Sequence, residues 1–217
     1  MVDPDAAPEE PQIGHAGGGG GVQKKLADAV AEEAAKHPGT LVEVFATDEH
    51  RLGLKPVTRR VWAPVGERPV ALGHHRFDWL YVTTFVSPAT GETFWYLSNA
   101  VSKPFFEALL ETFAREAGAG VERIILLVLD NAGWHGAASL TIPDGLRLVY
   151  LPPYTPELQP AETLWALVDE PIVNKHIPTI VDLEEKIANR CVALADAPET
   201  IKTRTNFHWW PRTIIPS

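Results

Sequence analysis

Ile124-Ile125-Leu126-Leu127-Val128-Leu129-Asp130 is an unbroken apolar run that stops on an acid. A run of this length with no polar alternation suits a strand covered on both faces, the kind found at the centre of a sheet with helices on either side. The flanking sequence agrees. Upstream, Lys103 to Ala117 places Phe105, Phe106, Leu109, Leu110 and Phe113 at helical spacing, with Pro104 suited to a first turn. Downstream, residues 146–151 form a second short strand, and Ala161 to Val168 and Ile180 to Ala195 read as helices. Nearer the N-terminus, Leu41 to Thr47 is β-prone and delivers Asp48 and Glu49. Trp79 to Ser87 and Thr93 to Ser98 are joined by Pro88-Ala89-Thr90-Gly91, a hairpin loop by length and chemistry. The predicted order is a strand, a hairpin, a helix, the buried strand, a helix, a strand and then helices. That order describes an α/β protein with helices on both faces of a mixed sheet, and by itself it allows more than one such fold.

Composition bounds the class. With 217 residues, 45% hydrophobic and 22% charged, the chain can bury one sizeable core. No apolar run reaches the roughly 18 to 20 residues needed to span a bilayer, and the acidic, glycine-rich start is unlike a signal peptide. A cytoplasmic location and no membrane partner are expected. A single cysteine, Cys191, excludes an internal disulfide and a cysteine-based zinc site. Residues 1–21, with four acids, no lysine or arginine and five consecutive glycines, read as a disordered leader. Residues 22–40 read as a short helix and linker, 41–200 as the folded domain and 201–217 as a tail.

The net charge of −9 is unevenly spread. Residues 51–76 hold Arg51, Lys55, Arg59, Arg60, Arg68 and Arg76 against Glu67 alone. Phosphate binding leans on such residues, so Arg51, Lys55, Arg59 and Arg60 are candidate nucleic-acid contacts, although a solvated basic face has the same composition.

Two acids stand where predicted strands run out, Asp48 and Asp130, and the C-terminal ends of strands are where open α/β sheets bind ligands. Asp is also an ordinary turn residue, so neither is decisive alone. A third acid follows a loop with four prolines in the ten residues 151–160. That loop's path is stiff, and it sets the position of a helix whose first turn contains Pro160 and Glu162. A first-turn Glu also complements a helix dipole, which accounts for the residue but not for the loop. Glu49 alternates to the opposite face from Asp48 and is left out of the acid set.

The strings Leu129-Asp-Asn-Ala-Gly-Trp-His135 and Tyr150-Leu-Pro-Pro-Tyr-Thr-Pro-Glu-Leu-Gln-Pro-Ala-Glu-Thr-Leu-Trp165 strongly resemble the DDE transposases of the insertion sequence 630 and mariner superfamily. Asp48-Glu49 with Trp62-Ala-Pro-Val-Gly66 downstream is similar to the segment around that family's first acid. The resemblance covers roughly residues 40 to 190. It implies a ribonuclease H-like mixed five-stranded sheet with helices on both faces. It also implies that Asp48, Asp130 and Glu162 are the catalytic, metal-holding acids, with Mg²⁺ or Mn²⁺, two ions, as cofactor. Such a site hydrolyses phosphodiesters and, with a 3′ hydroxyl as nucleophile, transfers strands. Asn131 and His135 match the motif as supporting residues. Trp62, Tyr154 and Trp165 match family positions and are read as packing residues, with Tyr150 and Leu158 as core.

The implied partner is DNA, both transposon ends and target, and a homodimer is allowed. Full-length family members begin with a helix-turn-helix region, of which this sequence shows no counterpart, so a separate helix-turn-helix chain is a candidate partner for recognising the ends. Gln159 stands where the family usually has Asn. After Trp165, where the family tends to place bases, Asp169 and Glu170 follow. The alternatives are a catalytically silent remnant that binds DNA or a partner, and a related ribonuclease H-like nuclease.

Overall fold

The computed structural model describes residues 18–66, 78–130 and 140–211. Its centre is a five-stranded sheet built from β1 (Leu41–Gly53), β2 (Trp79–Val86), β3 (Thr93–Ser98), β4 (Arg123–Leu129) and β5 (Leu146–Tyr150). Among the described residues five α-helices pack on it: α1 (Gly18–Lys36), α2 (Lys103–Glu116), α3 (Trp165–Val168), α4 (Ile180–Ala195) and α5 (Pro198–Thr205). The strand order is β3-β2-β1-β4-β5. β1, β2 and β3 form an antiparallel meander, and β4 and β5 add parallel to β1.

The continuous apolar run does sit at the centre. Ile124 to Leu129 are all buried, and alternation along the strand divides them between two cores. Ile125, Leu127 and Leu129 join Phe45, Phe85 and the apolar stripe of α2, where Phe113 stacks on Phe85 at 4.1 Å between ring centroids. Ile124, Leu126 and Val128 join Val42, Val44 and Ala46 under α1, α3, α4 and α5. Leu158 is buried and Tyr150 partly so. The parallel register Leu41↔Arg123 is latched at its start by Arg123, whose Nε donates to Glu43 Oε2 at 2.6 Å and whose Nη2 donates to Glu92 Oε2 at 2.8 Å.

Four expectations need correction. The helix expected over 22–36 begins at Gly18, and it is no linker: Val22, Leu26 and Val30 recur every four residues and are buried on the sheet. Glu33 of the same helix accepts from Arg147 Nε of β5 at 3.1 Å. A narrow apolar stripe in an Ala-rich, charged helix suffices once it has a sheet to cover. The folded unit likewise continues past residue 200, since Ile201, Thr205 and Trp210 are buried. β1 does not stop at Thr47 but runs on to Gly53, because β2 goes on pairing with it after β4 has ended. Finally, residues 160–168 are not one α-helix but a 3₁₀ segment, Pro160–Leu164, leading into the single turn of α3. The predicted helix between β4 and β5 falls largely on residues 131–139, outside the described residues. No described helix is long and apolar enough to cross a membrane.

Candidate active site

β1 and β4 part company at the pair Ala46↔Val128. Carried two residues further, the same register sets Asp48 level with Asp130, both on the face of Ala46 and Val128. The 3₁₀ segment bearing Glu162 packs on that same face through Ala161 and Leu164. All three acids consequently line one cavity of about 620 Å³, with Glu49, His50, Tyr154, Gln159 and Trp165 also in its walls. Glu49 thus borders the cavity despite its opposite parity on β1.

Gln159 connects the strand to the glutamate segment. It is only 3% exposed, and its Nε2 donates to the Thr47 carbonyl at 2.9 Å. The bond lies one residue past the last β1–β4 pair, so the amide meets β1 where β4 no longer does. Its Oε1 accepts from Ala161 N at 3.4 Å, capping the segment that carries Glu162. The longer residue at this position therefore still caps, and in addition it reaches β1.

Asp48 is held by Trp165, whose Nε1 donates to Oδ2 at 2.8 Å. The His50 ring stacks on Trp165, with centroids 5.0 Å apart, and His50 Nε2 donates to Asp169 Oδ1 at 2.9 Å. His50 and Asp169 were missed in the sequence. The available signal was parity, since His50 is two residues from Asp48 and shares its face. Asp169, which stands where the family tends to place basic residues, anchors His50. Burial pushes the Asp48 carboxyl up to about 7, the Trp165 hydrogen bond opposing the shift and the negative charges of Glu49 and Asp130 adding to it. Thr84 pairs with Asp48 across β1 and β2, and its buried hydroxyl has no hydrogen-bond partner among the described residues.

Asn131 and His135 lie outside the described residues. Of the basic candidates, Arg59 is engaged within the chain: Nη1 donates to Glu170 Oε2 and Nη2 to the Ala166 carbonyl, both at 2.9 Å. Arg51 lies 4.5 Å over the Trp79 ring, and Lys55 and Arg60 are exposed. Trp165 packs as expected, but Trp62 and Tyr154 do not, since both are fully exposed.

Among the described residues no three His, Cys, Asp or Glu side chains converge to cage an ion. Asp48, Glu49, Asp130 and Glu162 nonetheless bring carboxylate oxygens to the cavity, and a partly buried carboxyl whose pKa is raised lacks nearby positive charge. In donor type the residues fit a hard divalent cation such as Mg²⁺ or Mn²⁺.

Among curated proteins the chain is 28% identical over 138 residues to the uncharacterized protein y4pE/y4sA of Sinorhizobium fredii, covering 62% of this chain and 99% of that one. Among solved structures it matches the Mos1 mariner paired end complex with Mn at a TM-score of 0.54 and 14% identity, over 85% of this chain and 60% of that chain. The paired end complex with Mg matches at 0.52 and 10% identity, over 95% and 65%. This chain therefore spans under two thirds of those Mos1 chains, and at such identities the likeness is one of fold, the ribonuclease H-like fold. The DDE superfamily endonuclease family matches residues 43–184. That span reaches from the strand bearing Asp48 past the segment bearing Glu162, and through it the chain belongs to the DDE superfamily of endonucleases.

Proposed function

We propose that this chain is the catalytic domain of a DNA transposase, cutting and joining phosphodiesters at transposon ends with Asp48, Asp130 and Glu162 as its metal-holding acids. The observation that carries the reading is that these three carboxylates, from β1, the end of β4 and the proline-led segment, line one cavity. The Mos1 structures of like fold include paired end complexes with Mn and with Mg and a strand transfer complex, which supports DNA ends as substrate and a divalent ion as cofactor.

Asp48, Asp130 and Glu162 would hold Mg²⁺ or Mn²⁺, two ions in the usual form of this chemistry, and these supply activation of the attacking hydroxyl and neutralisation of the leaving oxygen. The chain's own contribution is placement. Trp165 holds one oxygen of Asp48 and limits rotation of the carboxyl. Gln159 ties the Glu162 segment to β1, so the distance between the acids follows the sheet rather than a free loop. Burial of Asp48 lowers local polarity, which strengthens every charge interaction there once the carboxyl has lost its proton. DNA ends and target, a homodimer and a helix-turn-helix chain for end recognition complete the proposed assembly.

The test is metal-dependent nicking and strand transfer on DNA carrying terminal inverted repeats, with Asp48→Asn, Asp130→Asn and Glu162→Gln beside the parent. Each variant is expected to be inactive at equal folded fraction. Parent-level activity in any of them removes that residue from the set.

A further inference from the structure

Among the described residues no hydrogen bond or ring contact engages the Tyr154 side chain. It is 100% exposed, yet its backbone adopts φ +61°, the left-handed region that a tyrosine enters only at a cost. Asn174, at φ +55°, is the one other non-glycine residue of this kind among the described residues, and its side chain explains it: Oδ1 accepts from Arg59 N at 2.9 Å and Nδ2 donates to the Arg59 carbonyl at 3.2 Å. Tyr154 has no such return. Its loop is also stiff, with Pro152 and Pro153 before it, Pro156 after it, and Thr155 Oγ1 donating to the Pro152 carbonyl at 2.8 Å. The residue is therefore carried on a stiff backbone, on the wall of the cavity that Asp48, Asp130 and Glu162 share.

The chemistry of that wall narrows what the ring can meet. Asp48, Glu49, Asp130 and Glu162 make the cavity acidic, so a phosphate enters there only with a cation to offset them. An uncharged aromatic face gives a nucleic acid a contact that does not depend on charge, because every base has a π-face. Resting on the reading of the cavity as a DNA-processing site, we propose that Tyr154 stacks on an unpaired nucleobase of the strand whose phosphate enters among the carboxylates. It is a positioning residue, and its ligand is single-stranded or frayed DNA.

The experiment uses the full chain and a single-stranded deoxyoligonucleotide carrying 2-aminopurine, whose fluorescence falls when the base stacks on an aromatic ring, with Ca²⁺ neutralising the carboxylates. Parent protein should quench the probe. Tyr154→Ala should bind at least about tenfold more weakly, with an unchanged slope of affinity against salt because no cation is removed. Tyr154→Phe should stay within about twofold of the parent. Tyr154→Gly is relieved of the positive-φ strain and should melt at or above the parent while binding as weakly as Tyr154→Ala, a combination that a structural role does not produce. Parent-like quenching by Tyr154→Ala, loss of binding in Tyr154→Phe, or no quenching by the parent overturns the proposal. Mg²⁺-dependent nicking by the parent, measured in parallel, reads the carboxylate site separately: nicking together with parent-like quenching by Tyr154→Ala sinks the stacking and leaves the site assignment standing.

Discussion

Replacing Gln159 by Met keeps nearly the volume and apolar stem of the side chain while deleting both amide hydrogen bonds. The Thr47 carbonyl then loses the donor it has at 2.9 Å, in a place where the glutamine is 3% exposed and water has little access. A buried acceptor left unpaired costs about 1 to 3 kcal/mol. The second bond, from Ala161 N, is 3.4 Å long and caps a short 3₁₀ segment, so its loss belongs at the low end of the capping range, about 0.5 kcal/mol. Gln159→Met should therefore lower stability by about 2 to 3 kcal/mol. Gln159→Asn can still cap but is too short to reach β1, and it should recover only the small capping part. Urea unfolding at constant slope gives both differences from the midpoints. Because Glu162 is then no longer tied to β1, nicking should fall further than folded fraction explains, since a misplacement of about 1 Å can cost on the order of a hundredfold. A Gln159→Met protein within about 0.5 kcal/mol of the parent, the range of ordinary surface changes, would refute the idea that this amide joins strand and segment.

Other outcomes follow from the same geometry. Glu162→Gln keeps the size of the side chain and should change stability by no more than about 1 kcal/mol, yet nicking should drop at least about a hundredfold; a structural first-turn glutamate would leave activity near parent. Asp48 binds its proton more tightly folded than unfolded, so its share of stability is greatest near pH 4 and declines as pH rises to about 7, by at most about 4 kcal/mol. Mg²⁺ should offset that decline, its effect on the melting midpoint growing from pH 5 to pH 8, and an Asp48→Asn protein that keeps the parent's pH dependence places the titration elsewhere. Thr84→Val replaces a buried, unpartnered hydroxyl with a methyl group and should raise stability by about 1 kcal/mol in urea unfolding; a loss instead would show that the hydroxyl is bonded in solution.

The elements with strong local patterns were legible in the sequence. The Ile124 to Leu129 run, the hairpin strands, the α2 stripe and the Ile180–Ala195 helix all stand within a residue or so of their predicted ends. Each carries its own period, so nothing distant is needed to recognise it. The common placement of the three acids on one cavity was legible for a related reason, since two follow β-prone runs and the third follows a loop whose prolines restrict its path. The misses share a cause. The length of β1, the burial of α1 and the inclusion of α5 and Trp210 all depend on a partner surface supplied by distant chain. Composition alone made α1 look like a solvated helix, and only the sheet beneath it turns Val22, Leu26 and Val30 into core.

The site divides along the same line. The sequence by itself determined which carboxylates are available and that two follow β-prone runs and the third a proline-stiffened loop, because apolar periodicity and proline content act over a few residues. Tertiary structure alone decided what surrounds them: that β4 stops pairing just short of Asp48, that Trp165 grips that carboxyl, that His50 reaches Asp169 across 119 positions, and that Arg59 is engaged at the surface by Glu170. Hydrogen bonds and burial between residues so far apart depend on how the sheet brings its two ends together, and no local pattern encodes that distance.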